Sequence, residues 1–214
     1  VTDGLAMPLL LALAGLLLSP AAEFLIARTL PRLGGLPSSG VRITTAAVTA
    51  LLFALLGWRF GMGAELPAFL LLALLGVQLS RIDFMLHLLP NRLVLTLLSG
   101  GLALLALSSS LEPGWTELLR ALAGGFILFA GYLILGLISP GSLGMGDVKL
   151  AAPLGMYLGY LGWQQVLFGG LLGFVVGGVL TLAMLRLRSA GKPAETAHGP
   201  AMVLAAFAVI LALH

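Results

Sequence analysis

Two aspartates, Asp83 and Asp147, stand at the ends of otherwise apolar stretches. The first lies in Ser80-Arg81-Ile82-Asp83, with Leu89-Pro90 following. The second lies in Gly144-Met145-Gly146-Asp147-Val148-Lys149. An ionisable group at membrane depth is costly, so its presence marks a functional site. Two carboxylic acids brought together share one proton, because like charges a few ångströms apart resist ionising simultaneously. Such a pair can activate a water against a peptide bond. Acid pairs also serve as proton or cation carriers in transporters, so both chemistries stay open on these two residues alone.

The residues around each acid have mechanical readings of their own. Gly144 and Gly146 supply a backbone able to take positive φ and to leave room for a neighbour or an extended peptide. Asp147 then opens a helix, where a carboxylate favours the unpaired N–H groups and the helix dipole. Lys149 either positions a substrate or anchors in the headgroup region. Pro90 limits continuation of the helix that carries Asp83 about two turns earlier.

These residues must be positioned by membrane helices. The chain of 214 residues is 60% hydrophobic and 9% charged, with a mean hydropathy of +1.13. A soluble domain carries about 25% charged residues, so water-soluble classes are excluded. The expected fold is all-α, a polytopic helix bundle in one domain over 1–214, because strands would leave unpaired edges in lipid. Eight apolar stretches emerge at 5–27, 43–59, 66–82, 92–109, 119–139, 148–162, 165–186 and 200–213, giving about eight transmembrane helices. The stretch 148–162 is the weakest, since fifteen helical residues cover roughly 22 Å against a core of about 30 Å. Asp3 with no basic residue before the first apolar run reads as a retained helix rather than a cleaved signal. Gly169, Gly173 and Gly177 recur at the spacing of a helix-packing stripe.

With eight spans and the N-terminus outside, the cytoplasmic side receives Arg28, Arg32, Arg42, Arg81, Arg92, Lys149, Arg186, Arg188 and Lys192. The other side keeps Arg59 and Arg120. That asymmetry follows the positive-inside rule and puts Asp83 and Asp147 on one face. Trp58, Trp115 and Trp163 fall at the opposite span ends, where aromatic anchors belong. The net charge of +3 is spread over flanking positions and does not indicate nucleic-acid binding. With no cysteine, disulfides, thiolate zinc sites and cysteine nucleophiles are excluded, and no cofactor or metal is expected.

Together these motifs resemble the type IV prepilin peptidase family, membrane aspartyl proteases of the G-x-G-D type. An Asp followed seven residues later by Pro is matched by Asp83 and Pro90. The second motif is matched by Gly144, Gly146, Asp147 and Lys149, then Leu150-Ala151-Ala152 and Leu154-Gly155. The likeness runs from Leu52-Phe53 through Gly57-Trp58-Arg59-Phe60-Gly61 and ends near Gly199-Pro200. The resemblance implies an aspartic endopeptidase of the bacterial inner membrane with Asp83 and Asp147 as the catalytic pair. Its substrates would be prepilins or pseudopilins, whose short basic leader is cut after a glycine at the cytoplasmic face. Members that also methylate the new N-terminus carry two Cys-x-x-Cys pairs in a long loop after the first helix. Here Arg28-Thr29-Leu30-Pro31 resembles the start of that loop, but about a dozen residues lead on to Arg42 and no cysteine occurs. Ala47 stands where the family commonly has Glu, and Asn91 where it has Asp. This is therefore a short form, for which N-methyltransferase activity is not expected.

Three further residues are weighed against plain readings. His87 sits one helical turn beyond Asp83 and is read as an interfacial histidine rather than a partner of the acid. His198 is read the same way. Glu23, late in the first apolar run, is read as reaching the cytoplasmic interface in preference to a place beside the acids. A transporter would place its acids near the midplane of long helices, often with an internal repeat. Both acids here lie at span ends, which favours the peptidase reading over the transporter.

Overall fold

The computed structural model describes residues 3–111, 114–138, 143–187 and 198–213, without the side chains of residues 3, 4 and 180–187. Arg188 and Lys192, counted above as cytoplasmic cations, lie outside the described residues, as do the side chains of Asp3 and Arg186.

Among the described residues, eight α-helices follow the predicted apolar stretches: α1 (Asp3–Thr29), α2 (Ser39–Phe60), α3 (Leu66–Leu86), α4 (Asn91–Leu111), α5 (Trp115–Ile138), α6 (Met145–Leu161), α7 (Trp163–Leu187) and α8 (Gly199–Ala212). A 3₁₀ turn at Pro31–Leu33 joins α1 to α2. No strand occurs among the described residues. Among the described residues, five helices, α1 to α5, are long and apolar enough to cross a membrane. The expected count of eight therefore holds for helices, and for membrane spans it holds in five.

α6 has 17 residues, about 26 Å at 1.5 Å per residue, so it is short for a lipid-facing span. Its surroundings explain how it tolerates this. Val148, Leu150, Ala151, Leu154, Met156, Tyr157 and Leu158 are all buried, and the helix packs against α4, α5, α7 and α8. A helix sheathed by protein has little lipid to match.

Each helix packs on its successor, and chain direction alternates. The ends of α1, α3, α5 and α7 and the starts of α2, α4, α6 and α8 therefore gather at one end of the bundle. Cross-contacts agree: at this end the Gly199 N–H reaches Asp83 and the Lys149 ammonium reaches Asn91. At the far end, Arg59 donates to the carbonyls of Ile210 and Leu213 at the close of α8. Arg120 does the same for Gly159 and Tyr160 at the close of α6. Both arginines thereby satisfy carbonyls that a helix end leaves unpaired, with charge of the sign its dipole favours. Trp58, Trp115 and Trp163 all lie exposed at this far end.

Glycine sets the closest approach between helices. A Cβ on Gly155 of α6 would run into the Gly124 carbonyl of α5, and one on Gly124 would lie 2.6 Å from the Gly155 carbonyl. Gly159 faces the Arg120 carbonyl in the same way, at 2.6 Å. These positions let the two backbones touch, as small residues do in membrane bundles. The stripe on α7 also packs: Gly169 accommodates Leu158, Gly173 the Tyr132 hydroxyl, and Gly177 the His198 ring.

The first helices are joined by polar contacts instead. Glu23 of α1 is 1% exposed and does not extend to the interface as expected. Its carboxylate pairs with Arg42 of α2 at 3.3 Å and accepts from the Thr45 hydroxyl. It also acts electrostatically on Arg81 of α3, whose Nε donates to Gln78 at 3.1 Å. Gln78 in turn donates to Ser19 of α1 at 3.3 Å. Partners this close keep a buried carboxylate from needing water, so snorkelling brings no gain.

Two outcomes follow for thermal unfolding of the detergent-solubilised protein. Gly155→Val should lower stability by about 3 kcal/mol or more through overpacking, whereas Gly131→Ala, whose Cβ would meet nothing within 4 Å, should be neutral or slightly stabilising. Glu23→Ala should cost about 2–3 kcal/mol, below the full cost of breaking a buried pair because Arg42 can still reach water. A Glu23→Ala protein that melts with the wild type would show that the network does not hold α1 to α2.

Candidate active site

Asp83 occupies the last full turn of α3 and is 6% exposed. Its helix ends four residues later, where His87 adopts φ 50° and ψ 40° and its N–H donates to the Asp83 carbonyl at 2.8 Å. A left-handed residue at this position is a standard helix stop. The stop is thus made by His87 rather than by Pro90. Pro90 instead begins α4, its carbonyl accepting from the N–H groups of Leu93 and Val94. The His87 side chain lies close enough to act electrostatically on Asp83, which the plain interfacial reading of this histidine did not foresee.

Asp147 is the third residue of α6 and is 7% exposed. Its carboxylate accepts from the backbone N–H of Gly144, the residue before the helix, while its own N–H donates to the Gly144 carbonyl at 3.0 Å. The carboxylate thus supplies the half of a capping box that belongs to the third helical residue, the glycine having no side chain to supply the other half. Neither glycine of the pair uses positive φ. Gly144 has φ −71°, and the positive-φ glycines among the described residues are Gly34, Gly35 and Gly61. What Gly146 provides is room: a Cβ there would sit 2.9 Å from that of Leu89. The start of α6 can therefore press onto the turn between α3 and α4, which brings Asp147 towards Asp83.

The two carboxylates lie within electrostatic reach of one another. Around them stand groups from other helices. The N–H of Gly199, at the start of α8, donates to Asp83 Oδ2 at 3.0 Å. Tyr132 of α5, 3% exposed, lies within electrostatic reach of Asp147. Tyr132 stacks obliquely with Phe174 of α7 at 4.7 Å between centroids, and His198 closes the group at 6.2 and 6.0 Å from these two rings. The His198 Nε2 is buried without a hydrogen-bond partner among the described residues, and burial pushes the imidazole below the usual histidine pKa, which keeps it neutral near pH 7.

Of the residues expected at the site, Asp83, Asp147, Gly144 and Gly146 are brought together. Lys149 is not among them. It is exposed, and its ammonium donates to Asn91 Oδ1 at 3.0 Å, tying the start of α6 to that of α4. Asn91, at the position where a departure from Asp was noted, is thus the lysine's partner. Beside this tie, a cavity of about 560 Å³ opens between residues 29–33 and 88–92. Among the described residues, no three His, Cys, Asp or Glu side chains converge to hold a metal ion. Tyr132, His198 and the N–H of Gly199 were missed. Gly199-Pro200 was visible as a motif, but nothing local connects it with an aspartate 116 residues earlier.

The model of the type IV leader peptidase family matches residues 68–182. The chain is 35% identical over 164 residues to a prepilin leader peptidase/N-methyltransferase of Stutzerimonas stutzeri, an alignment covering 75% of this chain and 55% of the relative. A protein of the same name from Bacillus subtilis (strain 168) is 39% identical over 149 residues, covering 66% of this chain and 57% of its own length. One from Xanthomonas campestris pv. campestris is 30% identical over 192 residues, covering 89% and 65%. The chain thus spans little more than half the length of the first two relatives. No solved structure matches it. The matched segment begins within α3, ends within α7 and carries both buried acids, and on that extent of agreement the chain belongs to the type IV leader peptidase family.

Proposed function

We propose that this chain is an aspartic endopeptidase of the bacterial inner membrane that removes the leader of type IV prepilins or pseudopilins, with Asp83 and Asp147 as its catalytic pair. The observation that carries this reading is the meeting of two buried carboxylates, from the end of α3 and the start of α6, inside the family-matched segment. One acid is ionised and one protonated. The ionised acid takes a proton from water as the water oxygen bonds to the scissile carbonyl carbon. The protonated acid gives its proton to the carbonyl oxygen. Collapse of the tetrahedral intermediate breaks the C–N bond, and the proton taken from water passes to the leaving amine. Gly144, Gly146 and Pro90 shape the site by setting how the helix starts approach each other. Lys149, held by Asn91, steadies that rim rather than touching the acids.

The reading places all eight helices across the membrane as one domain, with the N-terminus outside and the acid pair at the cytoplasmic face. Arg28, Arg32, Arg92 and Lys149 support it: all are exposed and lie near the connections at the end of the bundle that holds the acids. Because the chain has no cysteine, single cysteines can be introduced cleanly at positions 36 and 92 and at position 62. A membrane-impermeant thiol reagent applied from outside should label position 62 and spare the other two. Labelling of 36 or 92 from outside would reverse the orientation.

Asp83→Asn and Asp147→Asn are nearly isosteric and should leave the protein folded, while prepilin cleavage falls by about three orders of magnitude or more, since an amide neither accepts the water's proton nor returns it. The wild-type rate should follow a bell-shaped pH profile whose limbs belong to the pair. Mass spectrometry of the product should show a free N-terminus without a methyl group even when S-adenosylmethionine is supplied. Substantial cleavage by either Asn variant at equal membrane levels would remove the two-aspartate mechanism.

A further inference from the structure

The start of α8 lies outside the family-matched segment, which ends at residue 182, yet it donates a hydrogen bond to a member of the acid pair. The Gly199 N–H meets Asp83 Oδ2 at 3.0 Å in a buried setting. The fit allows no side chain, since a Cβ on Gly199 would stand 2.8 Å from the same oxygen. Two features hold this N–H in place. Pro200 follows within the first helical positions, where its fixed φ favours the helix start. His198 precedes it, with its ring wedged against Tyr132 and Phe174 and seated over Gly177. Two helices, α5 and α7, thus fix where the α8 start sits relative to Asp83.

A carboxylate on a freely turning χ2 presents either oxygen to a substrate. One held through Oδ2 presents the other. The geometry points to Gly199 as a positioning residue: its backbone N–H anchors Asp83 Oδ2 and thereby leaves Oδ1 as the oxygen that engages the attacking water. This deepens the peptidase reading and rests on it. The N–H is already in place before substrate binds, so its contribution belongs to the chemical step rather than to substrate affinity.

The decisive experiment removes the N–H without adding an atom. Full-length protein is made by cell-free translation into lipid nanodiscs with glycolic acid at position 199, which replaces the amide by an ester. Lactic acid in place of Ala205, within the body of α8, makes the matching ester without removing the side chain and provides the control for a lost helical hydrogen bond. Cleavage of a prepilin is then measured as kcat and KM. The ester at 199 should lower kcat about tenfold or more with KM within about twofold, while the ester at 205 leaves both near wild type. Gly199→Ala, which keeps the N–H but crowds Oδ2, should also lower kcat at unchanged KM. A wild-type kcat in the 199 ester, a loss confined to KM, or a loss matched by the 205 ester would overturn the assignment while leaving the peptidase reading intact. Failure of the unmodified protein to cleave would instead remove the peptidase reading, and this inference with it.

Discussion

Burying two carboxylates side by side among apolar helices is the constraint on which the rest of the structure depends. Both acids are largely removed from bulk water, so each must find donors in the protein. The donors found are backbone N–H groups at helix starts: Gly144 for Asp147 and Gly199 for Asp83. Helix starts are the natural source, because their first N–H groups have no partner within the helix and carry the positive end of the dipole. A site of this kind can be built where several helices begin or end together, and alternation of chain direction provides such a place.

That solution makes severe demands on packing. The start of α6 must press onto the α3–α4 turn, which is possible with glycine at 146. The start of α8 must touch Asp83 itself, which is possible with glycine at 199. Farther along α6, Gly155 and Gly159 bring its backbone against that of α5, so the far half of the helix carrying Asp147 is held against a neighbour. Glycine acts at these sites through the absence of Cβ, not through unusual torsion angles.

Much of this was legible in the sequence. Apolar stretches broken by Gly, Pro and Ser located all eight helices, and the price of an intramembrane charge singled out Asp83 and Asp147. Alternating direction put them at one end. What was not legible is what depends on partners distant in the chain. Glu23 looked like a residue reaching for the headgroups because Arg42 and Thr45, which hold it, belong to another helix. His87 and Pro90 were each assigned by local propensity, and the histidine, a rare left-handed non-glycine residue, took the terminating role expected of the proline. Tyr132 and His198 gave no periodic signal, since each is a single polar group in an apolar setting whose meaning comes from rings on other helices.

The arginine caps at the far end give the bundle a mechanical polarity. Arg59 bolts α2 to the close of α8, and Arg120 bolts α5 to the close of α6, each through two carbonyls. Helices fastened at one extremity behave as levers with their pivots there. Their greatest travel is at the opposite extremity, where the acids lie, and a small change of tilt is magnified along the helix length. A change of tilt about these fastenings is therefore felt most at the end that holds Asp83 and Asp147.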